Sequence, residues 1–245
     1  SADNAFFQVY KKQASPKHVF SFRNPNPEKR CAVVRYGGWG DMIQTSSIFP
    51  ELKKQGYHIT LYTSEGGYPV VKYDPNVDRF VVQQHEQVPN RELGEYWGYL
   101  AKQYDKLINL SESVEGSLLA LAGRTVHNWP HGARHKIMNH NYLEVTHEIA
   151  EVPFEIHTKF YASDSEITWA LRVRKKFFNG DGGVLLWVLS GSSAHKAWPY
   201  LDQVIARLLI QHPAMTIVLA GDDMSQLLEA GWEKEPRMKL RSGKW

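Results

Sequence analysis

A glycine-rich loop that ends in a carboxylate is the first feature of the sequence suited to chemistry. The segment Gly37-Gly38-Trp39-Gly40-Asp41 follows an apolar run and precedes a helical pattern. Small residues let the backbone approach a substrate closely, and a carboxylate at a strand end can remove a proton from a hydroxyl. The alternative is that Asp41 stands at the N-cap and only satisfies free helical N–H groups. The loop alone favours the cap, and it matches neither the dinucleotide-binding nor the Walker pattern.

A second loop combines hydroxyl groups, a glycine and a lysine just ahead of a predicted helix. It contains Ser190, Gly191, Ser192, Ser193 and Lys196. Exposed N–H groups and a lysine near a helix N-terminus are typical of an anion site, and a diphosphate leaving group needs such stabilisation. A solvated, serine-rich turn with Lys196 in water explains the pattern about as well.

Two further groups of residues raise the question of a metal site. Asp222 and Asp223 are adjacent in an extended segment, so their side chains point to opposite faces and a solvated pair is favoured. The histidine spacings in the middle of the chain match no strong ligand template, so we expect no metal there. The segment 126–141 is instead predicted to be a long functional loop. The histidines concerned are His127, His131, His135, His140 and His147.

The elements that must position the two loops repeat a strand, loop, helix, strand pattern. We predict a buried strand over 31–36, a helix to about residue 55 that Pro50 kinks or shortens, and a stop at Gly56. Such units produce parallel sheets, whose ligands bind at the carboxyl ends of the strands. The other elements predicted in this half are strands at 58–63, 77–83 and 106–110 and helices at 91–103, 117–122 and 142–150.

The second half restarts the same pattern after a break at 179–183. Ser163 and Glu166 form a predicted capping box for a helix to about Phe178, with Ile167, Ala170 and Leu171 on one face. A buried strand is expected over 184–189 and another over 215–220. Between them Pro199 suits the first turn of a helix. Its apolar stripe is Leu201, Val204, Ile205, Leu208 and Leu209. We therefore expect an arm at 1–30, a first domain at 31–180 and a partial second domain at 181–245.

Composition limits the class of protein. The 245 residues are 42% hydrophobic and 22% charged with a net charge of +3, which is typical of a soluble globular protein and argues against nucleic acid as a partner. The one cysteine, Cys31, excludes an internal disulfide and is expected to be a buried, inert thiol. No apolar stretch reaches the ~20 residues that span a bilayer, and residues 1–30 lack a signal-peptide pattern. We expect a cytoplasmic protein.

Four segments in order resemble glycosyltransferase family 9, the lipopolysaccharide heptosyltransferases. The resemblance covers most of 31–245, and no single segment is specific by itself. The segments are 31–41 with the following helix, Tyr73–Asp78, Tyr104–Leu110, and Lys196–Pro199 with the helix and strand that lead to Gly221.

The resemblance implies an α/β protein of GT-B type, with two Rossmann-like domains whose parallel sheets face a cleft and of which the second is incomplete. It implies inverting, metal-independent transfer of a sugar, such as heptose, from a nucleotide sugar to a glycan of lipopolysaccharide type. Asp41 matches the base, and Ser192 and Lys196 match positions that hold the donor diphosphate. We expect Ser190, Gly191 and Ser193 of the same loop to take part in binding the donor.

The remaining expectations concern the acceptor, the cofactors and the partners. We expect Gly38, Trp39, Gly40 and Gln44 on the acceptor side of the site. No cofactor is expected, because a donor such as ADP-heptose is a substrate, and contact with a membrane is peripheral at most. Two alternatives stay open: a non-catalytic GT-B-like module that binds glycan or builds a larger assembly, and a nucleotide-sugar epimerase or hydrolase.

Overall fold

The computed structural model describes residues 18–21, 29–84, 88–112, 129–177, 182–189 and 196–244. The chain forms two compact units, Ser1–Ala162 and Ser163–Trp245. The helix after Ser163 therefore belongs to the second unit. The predicted boundary near residue 180 and the predicted helix at 117–122 lie outside the described residues.

A five-stranded sheet organises the first unit, in the order β1-β4-β3-β2-β5. Strands β2 to β5 are parallel, as the repeated pattern predicts, and β1 runs antiparallel to β4 at one edge. The expectation that residues 1–30 form only an irregular arm is therefore wrong for β1, whose short apolar and aromatic segment pairs with the sheet. The strands are β1 (His18–Ser21), β2 (Arg30–Val34), β3 (His58–Ser64), β4 (Arg79–Gln83) and β5 (Lys106–Asn109).

Six helices of the described chain accompany this sheet. The predicted effect of Pro50 is confirmed, because the helical segment is interrupted at 47–48 and Pro50 lies in the first turn of the next helix, where its missing N–H costs nothing. Gly56 adopts φ 85° and ends that helix, also as predicted. The helices are α1 (Trp39–Ser46), α2 (Phe49–Lys54), α3 (Tyr68–Val71), α4 (Leu93–Ala101), α5 (His131–Met138) and α6 (Tyr142–Ala150), with 3₁₀ turns at Asn90–Glu92 and Leu110–Glu112.

Helix α5 corrects the prediction of a long loop over 126–141. The prediction is wrong for His131–Met138, where Ala133 and Arg134 donate backbone hydrogen bonds to the Pro130 carbonyl and begin the helix. The helix is mostly exposed, so it lacks the apolar periodicity that identifies a packed helix from sequence. Residues 126–128 lie outside the described part of the chain.

Both faces of the first sheet are covered, which explains why β2 is apolar throughout. Cys31 and Val33 point into one core with α1 and α2, while Ala32 and Val34 point into a second core with α4. All four side chains have no exposed surface. A strand buried on both faces has a continuous apolar run rather than an alternating one. The expected burial of Cys31 is confirmed.

The second unit contains a smaller parallel sheet in the order β6-β7-β8. The capping box at its first helix is confirmed: the Ser163 N–H donates to Glu166 Oε2 (2.7 Å), and the Glu166 N–H donates to Ser163 Oγ (3.2 Å). The elements are α7 (Asp164–Phe177), β6 (Val184–Val188), α8 (Leu201–Gln211), β7 (Thr216–Ala220), a 3₁₀ turn (Met224–Glu229) and β8 (Met238–Leu240).

Helix α8 packs on one face of the second sheet. Its predicted apolar stripe is confirmed, because Leu201, Ile205 and Leu209 are buried against Ile217 and Leu219. Pro199 lies before the helix rather than in its first turn, since α8 begins at Leu201. Within the described ranges of both units, no helix is long and apolar enough to cross a membrane.

Strand β6 is not buried on both sides, so the prediction of a fully buried strand is wrong. Val184, Leu186 and Val188 are 45%, 61% and 63% exposed, while the alternate residues Leu185 and Trp187 pack on the core beneath α8. The apolar composition of the run concealed this alternation, because every position is hydrophobic whichever face it occupies. The predicted apolar residues of α7, Ile167 and Leu171, are likewise exposed.

Candidate active site

Asp41 lies at the start of α1, close to the carboxyl end of β2. The helix has Gly38 as its N-cap and Asp41 as its third residue, so the prediction that Asp41 occupies the N-cap itself is wrong by three positions. Its carboxylate still stabilises the helix start, because Oδ2 accepts a hydrogen bond from the Gly38 N–H at 2.7 Å. This contact is the half of a capping box that the third helical residue supplies.

A second partner of Asp41 is Arg35, the first residue after β2. Arg35 Nη2 donates to Asp41 Oδ1 at 2.5 Å, and Nη1 donates to the Leu110 carbonyl at 2.8 Å. The two side chains are 10% and 26% exposed. The sequence interpretation missed Arg35, although a lone arginine in an otherwise apolar run is itself a signal, because a buried guanidinium needs a partner.

Gly37 makes room for the carboxylate. A Cβ atom at residue 37 would lie 2.4 Å from Asp41 Oδ2 and 2.6 Å from its Cγ, far inside van der Waals contact. A Cβ at Gly38 would lie 3.7 Å from Oδ2, and one at Gly40 would meet nothing within 4 Å. Among the three glycines of the loop, Gly37 is therefore the one that the position of Asp41 requires.

The carboxylate lies in the wall of a small polar pocket that is open to solvent and has room for about one water molecule. Gln44, predicted on the acceptor side, lies in its wall, whereas Trp39 is 69% exposed at the helix start. Helix α6 contributes residues that the sequence interpretation did not connect with the loop, because about a hundred residues separate them. The lining residues are Arg35, Asp41, Gln44, Thr45, Leu110, Tyr142 and Thr146.

The geometry leaves Asp41 able to accept a proton from a ligand in the pocket. Oδ1 is bonded to Arg35 and Oδ2 to Gly38, and each oxygen of a carboxylate can accept about two hydrogen bonds. About a quarter of the side chain is exposed. A base must lie within hydrogen-bond reach of the proton it removes, and a hydroxyl that enters this pocket meets that condition.

The fold is shared with solved glycosyltransferase structures. No family model and no curated protein sequence matches the chain. The structure of a family 9 glycosyltransferase from Veillonella parvula DSM 2008 superposes with a TM-score of 0.63 at 18% identity, covering 89% of this chain and 70% of that one. The E. coli ADP-heptose lipopolysaccharide heptosyltransferase II gives 0.53 at 16% identity, covering 89% and 73%. The chain has the fold of the family 9 glycosyltransferases. The α/β class and the parallel sheets predicted from the repeated pattern are confirmed, and so is the GT-B type implied by the four segments.

Within this family 9 fold, the second predicted loop is only partly described. Ser190, Gly191, Ser192 and Ser193 lie outside the described residues, so their part in binding a diphosphate stays a prediction. Lys196 is exposed in the second unit, ahead of α8. Trp198 and Tyr200, which follow it, are 58% and 59% exposed.

The acidic pair after β7 has a structural role at one of its two residues. Asp222 Oδ1 accepts hydrogen bonds from the Ser225 hydroxyl (2.8 Å) and backbone N–H (2.9 Å), and these bonds lower the pKa of the Asp222 carboxyl. They hold the 3₁₀ turn that follows. The Asp222 carboxylate thus bonds Ser225. This contact explains its position without a divalent ion shared with Asp223.

The described histidines of the middle region lie in different surroundings. His147 is 1% exposed, with Nδ1 2.7 Å from the Leu143 carbonyl, whereas the tilted rings of His131 and His135 lie on exposed α5 with 4.1 Å between their centroids. His127 lies outside the described residues. Within the residues that the structure describes, no group of three His, Cys, Asp or Glu side chains could hold a metal ion.

Proposed function

We propose that the protein is a glycosyltransferase that moves a sugar from a nucleotide-sugar donor to a hydroxyl of a glycan acceptor, with Asp41 as the general base. The observation that carries the proposal is the Asp41 carboxylate, held in a pocket by Arg35 and the Gly38 N–H. This pocket lies at the carboxyl end of β2, the edge at which open α/β sheets bind their ligands. The shared fold supports the same reaction class.

In the proposed reaction the acceptor oxygen displaces the donor diphosphate. The acceptor hydroxyl loses its proton to Asp41 while its oxygen forms a bond to the anomeric carbon. The bond between that carbon and the diphosphate oxygen breaks, and the electron pair leaves with the nucleoside diphosphate. Attack from the side opposite the leaving group inverts the anomeric configuration. We propose that Lys196 and residues 190–193 offset the negative charge on the leaving group. In this proposal the reaction does not use a metal ion.

Our proposal for the particular donor and acceptor is based on the name of one structural neighbour. The E. coli protein is named an ADP-heptose lipopolysaccharide heptosyltransferase, which supports ADP-heptose as donor and a glycan of lipopolysaccharide type as acceptor. For such an acceptor we propose a cytoplasmic enzyme with peripheral membrane contact. Gln44 and Tyr142, which lie in the wall of the Asp41 pocket, are positioned to contact the acceptor.

A donor panel tests this proposal. Calorimetric titration with ADP-, UDP- and GDP-linked sugars should give micromolar binding to one nucleotide class, and transfer to a glycan should release the matching nucleoside diphosphate. Donor binding without transfer to any glycan would indicate a module that lacks catalysis. Release of the diphosphate at the same rate without acceptor would indicate a hydrolase, and either result would contradict the proposal.

A further inference from the structure

The side chain of Arg35 is shared between two elements that meet at the site. Its Nη1 bonds the Leu110 carbonyl directly after β5, and its Nη2 bonds Asp41 on α1. The Arg35 backbone N–H donates to the Tyr62 carbonyl of β3 at 3.0 Å. The Arg35 backbone is therefore bonded to β3 on one side of β2. Its side chain bonds the residue that follows β5 on the other side.

This arrangement leaves Asp41 little rotational freedom. One carboxylate oxygen bonds the guanidinium and the other bonds the Gly38 N–H, and Gly37 lies against the side chain from behind. The two donors, a side chain and a backbone N–H, bond different oxygens of the carboxylate, and together they hold it in one orientation. In that orientation the carboxylate is part of the pocket wall.

The chemistry of arginine suits this role better than that of lysine. A guanidinium is planar, remains charged and presents its donors at fixed angles, so it can bond the Leu110 carbonyl and the Asp41 carboxylate at the same time. Arg35 is 8% exposed overall, and a buried charge is stable only when it is paired and hydrogen-bonded.

We propose that Arg35 is a positioning residue for Asp41, which it holds in the orientation needed to remove the acceptor proton. The inference rests on the proposed function of Asp41 as the base. Arg35 also lies in the wall of the pocket, and the role assigned to it acts through Asp41. Loss of the guanidinium should lower kcat and leave the KM values for donor and acceptor nearly unchanged.

A matched ion pair on the same strand provides the control. Arg30, at the other end of β2, pairs with Asp105 at 3.7 Å, and both side chains are 51% exposed. Exposed pairs of this kind contribute little to stability. Arg30→Gln removes the same charge from the other end of β2 without touching Asp41, so kcat should equal that of the wild type.

The experiment compares Arg35→Gln, Arg35→Lys and Arg35→Ala with Arg30→Gln by steady-state transfer kinetics and thermal unfolding. A misplacement of about 1 Å costs about a hundredfold in rate, and we expect Arg35→Gln to lower kcat by about that factor. Arg35→Lys should recover part of the loss. Added guanidinium ion at a non-denaturing concentration should restore part of the kcat of Arg35→Ala and have no such effect on Arg30→Gln.

The outcomes separate this inference from the proposed function. Wild-type kcat in Arg35→Gln, or a loss confined to KM, would overturn the role of Arg35 while leaving Asp41 as the base. Full turnover in Asp41→Asn would overturn the proposed function itself. If Arg35→Gln is unfolded at the assay temperature, Arg35→Lys provides the test. Wild-type kcat in Arg35→Lys would show that the guanidinium is not needed to hold Asp41, which contradicts the inference.

Discussion

Gly37→Ala is the substitution whose effect follows most directly from the geometry. The new Cβ would lie 2.4 Å from Asp41 Oδ2 and 2.5 Å from its Cβ, whereas ordinary contact begins at 3.4 Å. The carboxylate must therefore retreat by about 1 Å, a displacement that typically costs about a hundredfold in rate. Overpacking costs about 1–3 kcal/mol, and the stiffer unfolded chain offsets part of it, so we expect a net loss of about 1–2 kcal/mol in unfolding free energy.

Gly40→Ala is the control in the same loop. A Cβ at residue 40 meets nothing within 4 Å, and the residue lies in the first turn of α1, so the change should leave the position of Asp41 unchanged and add up to about 1 kcal/mol of stability. Transfer kinetics and thermal unfolding of both variants provide the measurement. Wild-type kcat and wild-type stability in Gly37→Ala would refute the reasoning, because they would show that the carboxylate does not occupy the position against Gly37.

Two further predictions concern stability. Burial raises the pKa of the Cys31 thiol from 9.0 to about 12, against the opposing charge of Lys106. Between these values the unfolded thiol loses its proton while the folded one keeps it, so the unfolding free energy should fall with rising pH by at most about 1.4 kcal/mol per unit. Denaturant titrations from pH 8.5 to 9.5 should show this slope and a smaller one in Cys31→Ala; equal slopes would contradict it. Ser163→Ala removes the side-chain acceptor that caps α7 and should destabilise that helix by about 1 kcal/mol. Amide hydrogen exchange along α7 measures this effect. Unchanged protection there would contradict the role of the capping box.

Features of the fold that depend on neighbours in the chain could be predicted from the sequence. The stop at Gly56, the capping box at Ser163 and the stripe of α8 each follow from a short window of residue types. Strand β1 could not be predicted, because four residues reveal no partner strand until the sheet assembles. The half-exposed β6 was missed for a related reason, since an all-apolar run does not show which of its faces is covered.

The candidate site was predicted only in part. Asp41 and Gln44 belong to one local motif and could be identified together. The contact of Arg35 with Leu110 joins residues 75 positions apart, and Tyr142 reaches the pocket from a helix still further along the chain. Such contacts depend on the order of the strands, which places β5 beside β2. The sequence also left Asp41 open between a cap and a base, and the structure shows a carboxylate that caps the helix while it faces a pocket.

The most direct test of the central claim is the turnover of Asp41→Asn with the donor and acceptor that the wild type uses. Asparagine has nearly the same shape, so the variant should fold and bind the donor with wild-type affinity in calorimetry. Its amide cannot accept the acceptor proton as a carboxylate does, and general base catalysis contributes about 100- to 10,000-fold in rate, so kcat should fall by that range. Wild-type turnover by a folded, donor-binding Asp41→Asn would contradict the assignment of Asp41 as the base.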